Sequence, residues 1–241
     1  MKASETSLPK IARPAATTIL LRETDTNPVE VLLLRRSKAL SFAAGHWVFP
    51  GGRVDPEDFA SGVSVEDCNE RQLLDAVNCA AVRETFEECG IDISGQQSQV
   101  YSHWTTPKQQ PKRFSTWFLM VKAPARHDVM VDNSEITQYQ WLTPKEAISK
   151  QAAGRLLVSP PAYISLLELN RCTNIDEAFA FSSARETPFF QPQLHMQQDK
   201  VVIIYNGDAA FNSDELDTQG HRHRLEITGK TYDYQHTLGE T

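Results

Sequence analysis

The sequence predicts one mixed α/β (α+β) domain with a β-rich extension, and three observations carry that reading. Strand-length runs rich in Val, Ile, Leu and Thr recur between turn residues in the first quarter of the chain. A helical spacing of apolar residues then leads into an acidic run that stops at Gly90, and strand patterning returns near Thr187. The chain has 241 residues, of which 40% are hydrophobic and 23% charged, so it can bury a substantial core and is neither a disordered segment nor a miniature scaffold.

Residues 1–14 are polar and proline-punctuated and read as a flexible lead-in. Ala15 to Leu21 and Val29 to Leu34 have strand composition and form a hairpin across the polar stretch Arg22 to Glu30. Trp47-Val48-Phe49 is a short strand that Pro50-Gly51-Gly52 ends in a sharp loop. Ser64, followed by Asp67, is expected to cap a helix that carries Leu73, Leu74, Val77, Ala80 and Ala81 at mostly helical spacing and ends near Gly90.

Tyr101 to Trp104 and Arg113 to Val121 read as strands joined by the Pro107 to Lys112 turn. Gln138 to Leu142 is another strand, after which Thr143 caps a short helix with Pro144 in its first turn. Pro160-Pro161 opens a second short helix through Leu169. Farther on, Thr187 to Leu194 and Val201 to Tyr205 suggest a strand pair, and Arg224 to Thr228 with Thr231 to Tyr234 a hairpin around Gly229-Lys230. The expected organisation is a domain over 15–171 and an extension over 172–241 packed on it, since the extension has few residues for a core of its own.

Twenty-four Lys and Arg against 31 Asp and Glu give a net charge of -7, which disfavours nucleic acid and anionic membranes as partners. No stretch approaches the ~20 apolar residues of a membrane span. Cys68, Cys79, Cys89 and Cys172 show no CxxC pairing, so reduced thiols and a cytoplasmic location are expected.

The chemistry concentrates in Arg83-Glu84-Thr85-Phe86-Glu87-Glu88-Cys89-Gly90-Ile91. At about 100° per residue, Glu84 and Glu88 stack one turn apart and Glu87 shares their face. Like charges at this spacing repel, and Mg2+ or Mn2+ resolves the crowding because hard cations accept carboxylate oxygens and bridge them to diphosphate. Glu57, beyond the Gly51-Gly52 loop, can approach the helix and pair with Arg83.

With these residues the chain resembles the Nudix hydrolase family, whose pattern is glycine, five residues, glutamate, seven residues, then Arg-Glu-aliphatic-any-Glu-Glu-any-Gly-aliphatic. Gly51, Glu57, Arg83, Glu84, Glu87, Glu88, Gly90 and Ile91 match; Thr85 replaces the aliphatic residue, and residues 58–82 form an insertion with a helical pattern. An interrupted box of this kind is similar to the branch that includes peroxisomal coenzyme A diphosphatases. The resemblance implies a mixed sheet sandwiched between helices and a metal-dependent hydrolase of a nucleoside diphosphate linked to another moiety. Coenzyme A or an acyl-CoA is the first substrate expectation; ADP-ribose, a dinucleotide, a nucleotide sugar, or binding without cleavage are the alternatives, and a homodimer stays open.

On that resemblance Glu84, Glu87 and Glu88 hold metal, Glu87 either as a ligand or orienting water, and Glu135 is a second candidate base. Arg35, Arg36, Lys112 and Arg113 border the expected cleft as phosphate clamps, each with a surface ion pair as its plainer role. Phe49, Trp104 and Trp117 can stack on a base, although aromatic residues in strands are more often core. His46, His103, His221 and His223 lack the nucleophile or ligand partners that would make a histidine mechanism or a zinc site specific.

Overall fold

The computed structural model describes residues 12–40, 43–125, 128–213 and 215–237. The expected lead-in lies outside the described residues up to position 11, and Arg13 and Pro14 already belong to the first strand. That strand, β1 (Arg13–Arg22), is the centre of the larger sheet, with Ile19, Leu20 and Leu21 fully buried. The flanking strands are β2 (Glu30–Arg36), β3 (Trp47–Val48), β4 (Gly51–Arg53), β5 (Ser98–Thr105), β6 (Phe114–Lys122), β7 (Ile136–Leu142) and β8 (Phe189–Phe190).

β1 runs parallel to β6, from Arg13 opposite Phe114 to Leu21 opposite Lys122. Its other edge is shared, because β4 pairs with Ala15–Thr17 and β2 with Leu21 and Arg22. The expected hairpin of the first two strands is present, yet it closes only at the turn end; the Gly51-Gly52 segment, expected as a loop, occupies the rest of the edge as strand β4, because β1 offers its backbone a paired edge there. β2 continues into β3 and β7, and β6 continues through β5 to β8.

Helices cover both faces. α1 (Glu70–Cys89) packs Val77, Ala80 and Ala81 against Ala16 and Leu119, while Cys89 and Ile91 meet Leu20, Leu32 and Leu34. α2 (Pro144–Ala152) and α3 (Pro160–Leu169) bury Ala147, Ile164 and Leu166 with Ile19, Leu21 and Leu33 on the opposite face. Successive β1 residues thus serve different cores, as the period of two requires. Thr143 caps α2 as expected, accepting from the Glu146 amide at 3.2 Å.

α1 starts later than expected. Ser64 donates to Asp67 at 2.8 Å within a separate turn, whereas Asn69 accepts from the Gln72 amide and its own amide is bound by the Gln72 side chain, giving a reciprocal cap at residue 69. Residues 70–82, expected as part of an insertion, are therefore the first part of α1 itself.

The chain also forms a helix beyond the expected elements, α4 (Ile175–Ser183), whose cap Asn174 accepts from the Glu177 amide at 2.8 Å. The expected pairing of Thr187–Leu194 with Val201–Tyr205 divides into two. β8 joins the larger sheet beside β5, and only β9 (Gln193–Met196) pairs with β10 (Val201–Ile204). With β11 (His223–Thr228) and β12 (Thr231–His236), these make a second, antiparallel sheet in the order β12-β11-β10-β9. Ile203 and Leu225 from this sheet, with Tyr205 just after β10, share one core with Phe49, Trp104 and Phe118. Among the described residues no helix is long and apolar enough to cross a membrane.

Candidate active site

Two glycines bring the backbone of β4 against the acidic end of α1. The Gly51 amide donates to Glu88 Oε2 at 2.9 Å. A Cβ on Gly52 would lie 2.3 Å from the Glu84 carboxyl carbon, so only a hydrogen fits there. Thr85, the departure from the aliphatic pattern, is fully buried and donates to Thr18 Oγ1 on β1 at 3.0 Å, so its polar atom is satisfied at the helix–sheet contact. Gly90 ends the helix in the left-handed conformation, φ 72°, with its amide bonded to the Phe86 carbonyl.

The carboxylates of the ridge have unequal environments. Glu88 is buried, and burial pushes its carboxyl up to about 8; the Gly51 amide and Arg36 oppose the shift, while Glu84 and Glu135 add to it. Burial also raises Glu84, against the pull of Arg83 beside it. Glu87 is exposed and approaches Arg83 Nη1 at 3.3 Å. A hard divalent cation suits this donor set, since two desolvated carboxylates on one wall disfavour their own charge. Among the described residues no three His, Cys, Asp or Glu side chains already converge as a metal site.

Arg83 does not pair with Glu57. Its Nη2 and Nε donate to Asp58 at 2.8 and 3.1 Å, and Nη2 also reaches the Arg53 carbonyl. Asp58 is buried and Glu57 exposed. Counted from Gly52 instead of Gly51, the five-residue spacing falls on Asp58, and the short 3-10 turn Pro56–Asp58 points that side chain inward. The two adjacent glycines offer two starting points for that spacing, and Arg83 takes the carboxylate counted from the second.

Arg36 joins the site from β2, with Nη1 3.7 Å from Glu88 Oε1 and Nη2 3.7 Å from Glu135 Oε2. Glu135 is therefore brought beside the ridge from the loop before β7. Arg35, one residue earlier, donates to Gln138 on β7 at 3.1 Å. Arg113 sits just before β6, where Nε donates to the Thr106 carbonyl at 3.3 Å, and Lys112 before it is exposed.

The stacking candidates are packed in the interior. Phe49 is 3% exposed and meets Phe118 edge-on; Trp104 is 5% exposed and stacks on Phe190 at 3.8 Å, so neither presents a ring face to a ligand. Trp117 lies parallel to His103 at 4.0 Å, and His103 Nε2 is 2.7 Å from Ser115 Oγ. His46 contacts the Ala44 carbonyl, and His223 the Asn206 carbonyl.

The NUDIX domain family matches residues 12–158, which include β4, the acidic end of α1 and Glu135. The chain belongs to the Nudix family. It is an enzyme of the Nudix diphosphatase type, a hydrolase of nucleoside diphosphate linkages. The Nudix chain is 25% identical over 234 residues to a Caenorhabditis elegans protein that carries the name nudix hydrolase 7, covering 83% of this chain and 74% of that one. It is 22% identical to the acyl-coenzyme A diphosphatase NUDT19 of Xenopus laevis, covering 87% and 78% of the two chains. A NUDIX hydrolase from Alicyclobacillus acidocaldarius superimposes with a TM-score of 0.59 at 21% identity, over 70% of this Nudix chain and 96% of that structure. That likeness extends the agreement to the fold.

Proposed function

We propose that this Nudix enzyme cleaves the diphosphate of coenzyme A or an acyl-CoA with Mg2+ or Mn2+ held by Glu84, Glu88 and Glu87. The observation that carries the reading is the seating of Glu84 and Glu88 against the Gly51-Gly52 backbone, which leaves two desolvated carboxylates facing one site. A bound divalent cation supplies charge neutralisation at the diphosphate and a lowered pKa for attacking water. Glu87, exposed at the mouth of the ridge, orients water or completes the ligand set. Glu135 is the alternative base, held beside the ridge by Arg36. Arg36 and Arg113 are the preferred phosphate contacts, with Arg35 and Lys112 as further candidates.

The coenzyme A assignment draws on the length over which the chain matches an acyl-coenzyme A diphosphatase, 87% of this chain, which exceeds the family region over 12–158. ADP-ribose, dinucleotides and nucleotide sugars present the same diphosphate to the same carboxylates. The test is product release from coenzyme A, ADP-ribose, dinucleotides and nucleotide sugars, with Mg2+ or Mn2+ and with chelator, for the wild type and E87Q. Metal-dependent cleavage of coenzyme A above the others, with collapse in E87Q, is expected. Preference for another substrate replaces the coenzyme A assignment, and metal-dependent nucleotide binding without cleavage makes the ridge a sensor.

A further inference from the structure

Between α2 and α3 the chain runs beside β3, and its backbone groups at Val158 face two ways. On one side the Leu157 carbonyl accepts from the Trp47 amide at 2.8 Å and the Ser159 amide donates to the Trp47 carbonyl at 3.0 Å, a parallel bridge to β3. On the other side Val158, fully buried, presents its own amide and carbonyl, which need partners away from water. Two side chains supply them. Gln151 Oε1 on α2 accepts from the Val158 amide at 3.0 Å, and the Tyr232 hydroxyl on β12 donates to the Val158 carbonyl at 2.8 Å. Gln151 Nε2 in turn donates to the Lys230 carbonyl in the β11–β12 turn at 2.8 Å. One carboxamide, 1% exposed, thus ties α2, the segment at Val158 and the hairpin of the second sheet together.

Trp47 stands four residues before Gly51, and little in between can give. Phe49 is buried edge-on against Phe118, and Pro50 has a fixed φ and a carbonyl that accepts from the Thr18 amide at 2.8 Å. So short and stiff a segment passes a shift at Trp47 on to the Gly51 amide, which holds Glu88 Oε2. We propose that Gln151 and Tyr232 are positioning residues, through which the β11–β12 hairpin aligns β3 and sets the Gly51 backbone that seats Glu88. β12 lies outside the family region of 12–158, so the second sheet gains a part in the chemistry of the first. The inference rests on the reading of Glu88 as a metal ligand.

The test uses the full chain and two readouts without turnover: amide hydrogen exchange followed by nuclear magnetic resonance, and Mn2+ affinity from the loss of the free-ion electron paramagnetic resonance signal. Y232F keeps the ring that packs edge-on against Tyr163 and removes one hydrogen bond to Val158. Exchange at the Trp47 and Gly51 amides is expected to quicken about fivefold in this variant, while the β6 amides stay within about twofold of wild type. Mn2+ binding is expected to weaken about threefold, because the seat of one ligand has loosened. Q151M removes two hydrogen bonds and should change both readouts further in the same direction; if it does not fold, Y232F decides alone. Unchanged Gly51 exchange in Y232F overturns the proposal. So does equal acceleration of the β6 amides, which would mark general destabilisation, and so does faster Gly51 exchange with unaltered Mn2+ affinity. E88Q separates the two levels: Mn2+ binding as tight as in wild type there overturns the metal-ligand reading itself, and the positioning with it.

Discussion

Gly52 and Glu84 meet so closely that a single methyl group on the glycine would lie 2.3 Å from the carboxyl carbon. The obstructed atoms are the tip of a flexible side chain, so G52A displaces the carboxylate more than the fold. The expected result is a loss of activity of about a hundredfold or more with little change in the unfolding midpoint. Retained activity would show that Glu84 need not stand against β4.

Gly51 makes the contrasting case. A Cβ there meets the Ala16 carbonyl at 2.3 Å and Thr17 Cα at 2.7 Å, both backbone atoms that cannot swing away. G51A should therefore destabilise the protein by about 3 kcal/mol or more, as overpacking does in a tightly paired region. Denaturant unfolding reads this directly, and a midpoint like that of wild type would mean that β4 and β1 can separate at low cost.

Asp58 and Glu57 are neighbours with different partners. D58A leaves Arg83 without its bidentate carboxylate and should lower stability by about 2 kcal/mol, whereas E57A should stay within about 0.5 kcal/mol of wild type. The reverse order in urea unfolding would return the pairing to Glu57.

His223 is buried, and burial pushes its imidazole down to about 4 from an ordinary 6.5. A folded-state value below the unfolded one means that its contribution is fully present above pH 6.5 and is lost as pH falls through 6.5 toward 4. About 3 kcal/mol is at stake. The thermal midpoint of wild type should fall over that window, and the fall should be shallower in H223F; identical pH profiles would assign the acid sensitivity elsewhere.

Tyr205 is fully buried, and its hydroxyl has no hydrogen-bond partner among the described residues. Y205F removes that desolvated group and keeps the ring that packs on Trp104 and Phe190, so a gain of about 1 kcal/mol is expected. A loss of stability in the melting curve would show that the hydroxyl is bonded in solution.

Much of this architecture was legible before folding. Apart from β4, the strands from Ala15 to Leu142 announce themselves through apolar runs and turn residues, and Thr143-Pro144 and Pro160-Pro161 open helices where expected. α4 carried a readable signal in Asn174 with Glu177 three residues on, which strand-like composition nearby obscured. The aromatic candidates misled because a ring suited to stacking is equally suited to a core. Phe49 and Trp104 are closed off by Phe118, Phe190 and Tyr205, the last two from segments far along the chain.

The stacking of Glu84, Glu87 and Glu88 on one helical face and the end of that helix at Gly90 were written in the residues alone, because each follows from backbone periodicity and local torsional freedom. The Gly51-Gly52 segment, expected as a loop, becomes strand β4 only because β1 offers it an edge. Partner choice was not written there either. Whether Arg83 holds Glu57 or Asp58, which oxygen of Glu88 is fixed by Gly51, and that Arg36 meets both Glu88 and Glu135 depend on how β1, β2, β4 and α1 close on one another. Contacts between residues distant in sequence follow from packing and from the requirement that buried charge find a partner, and both are satisfied only in the assembled fold.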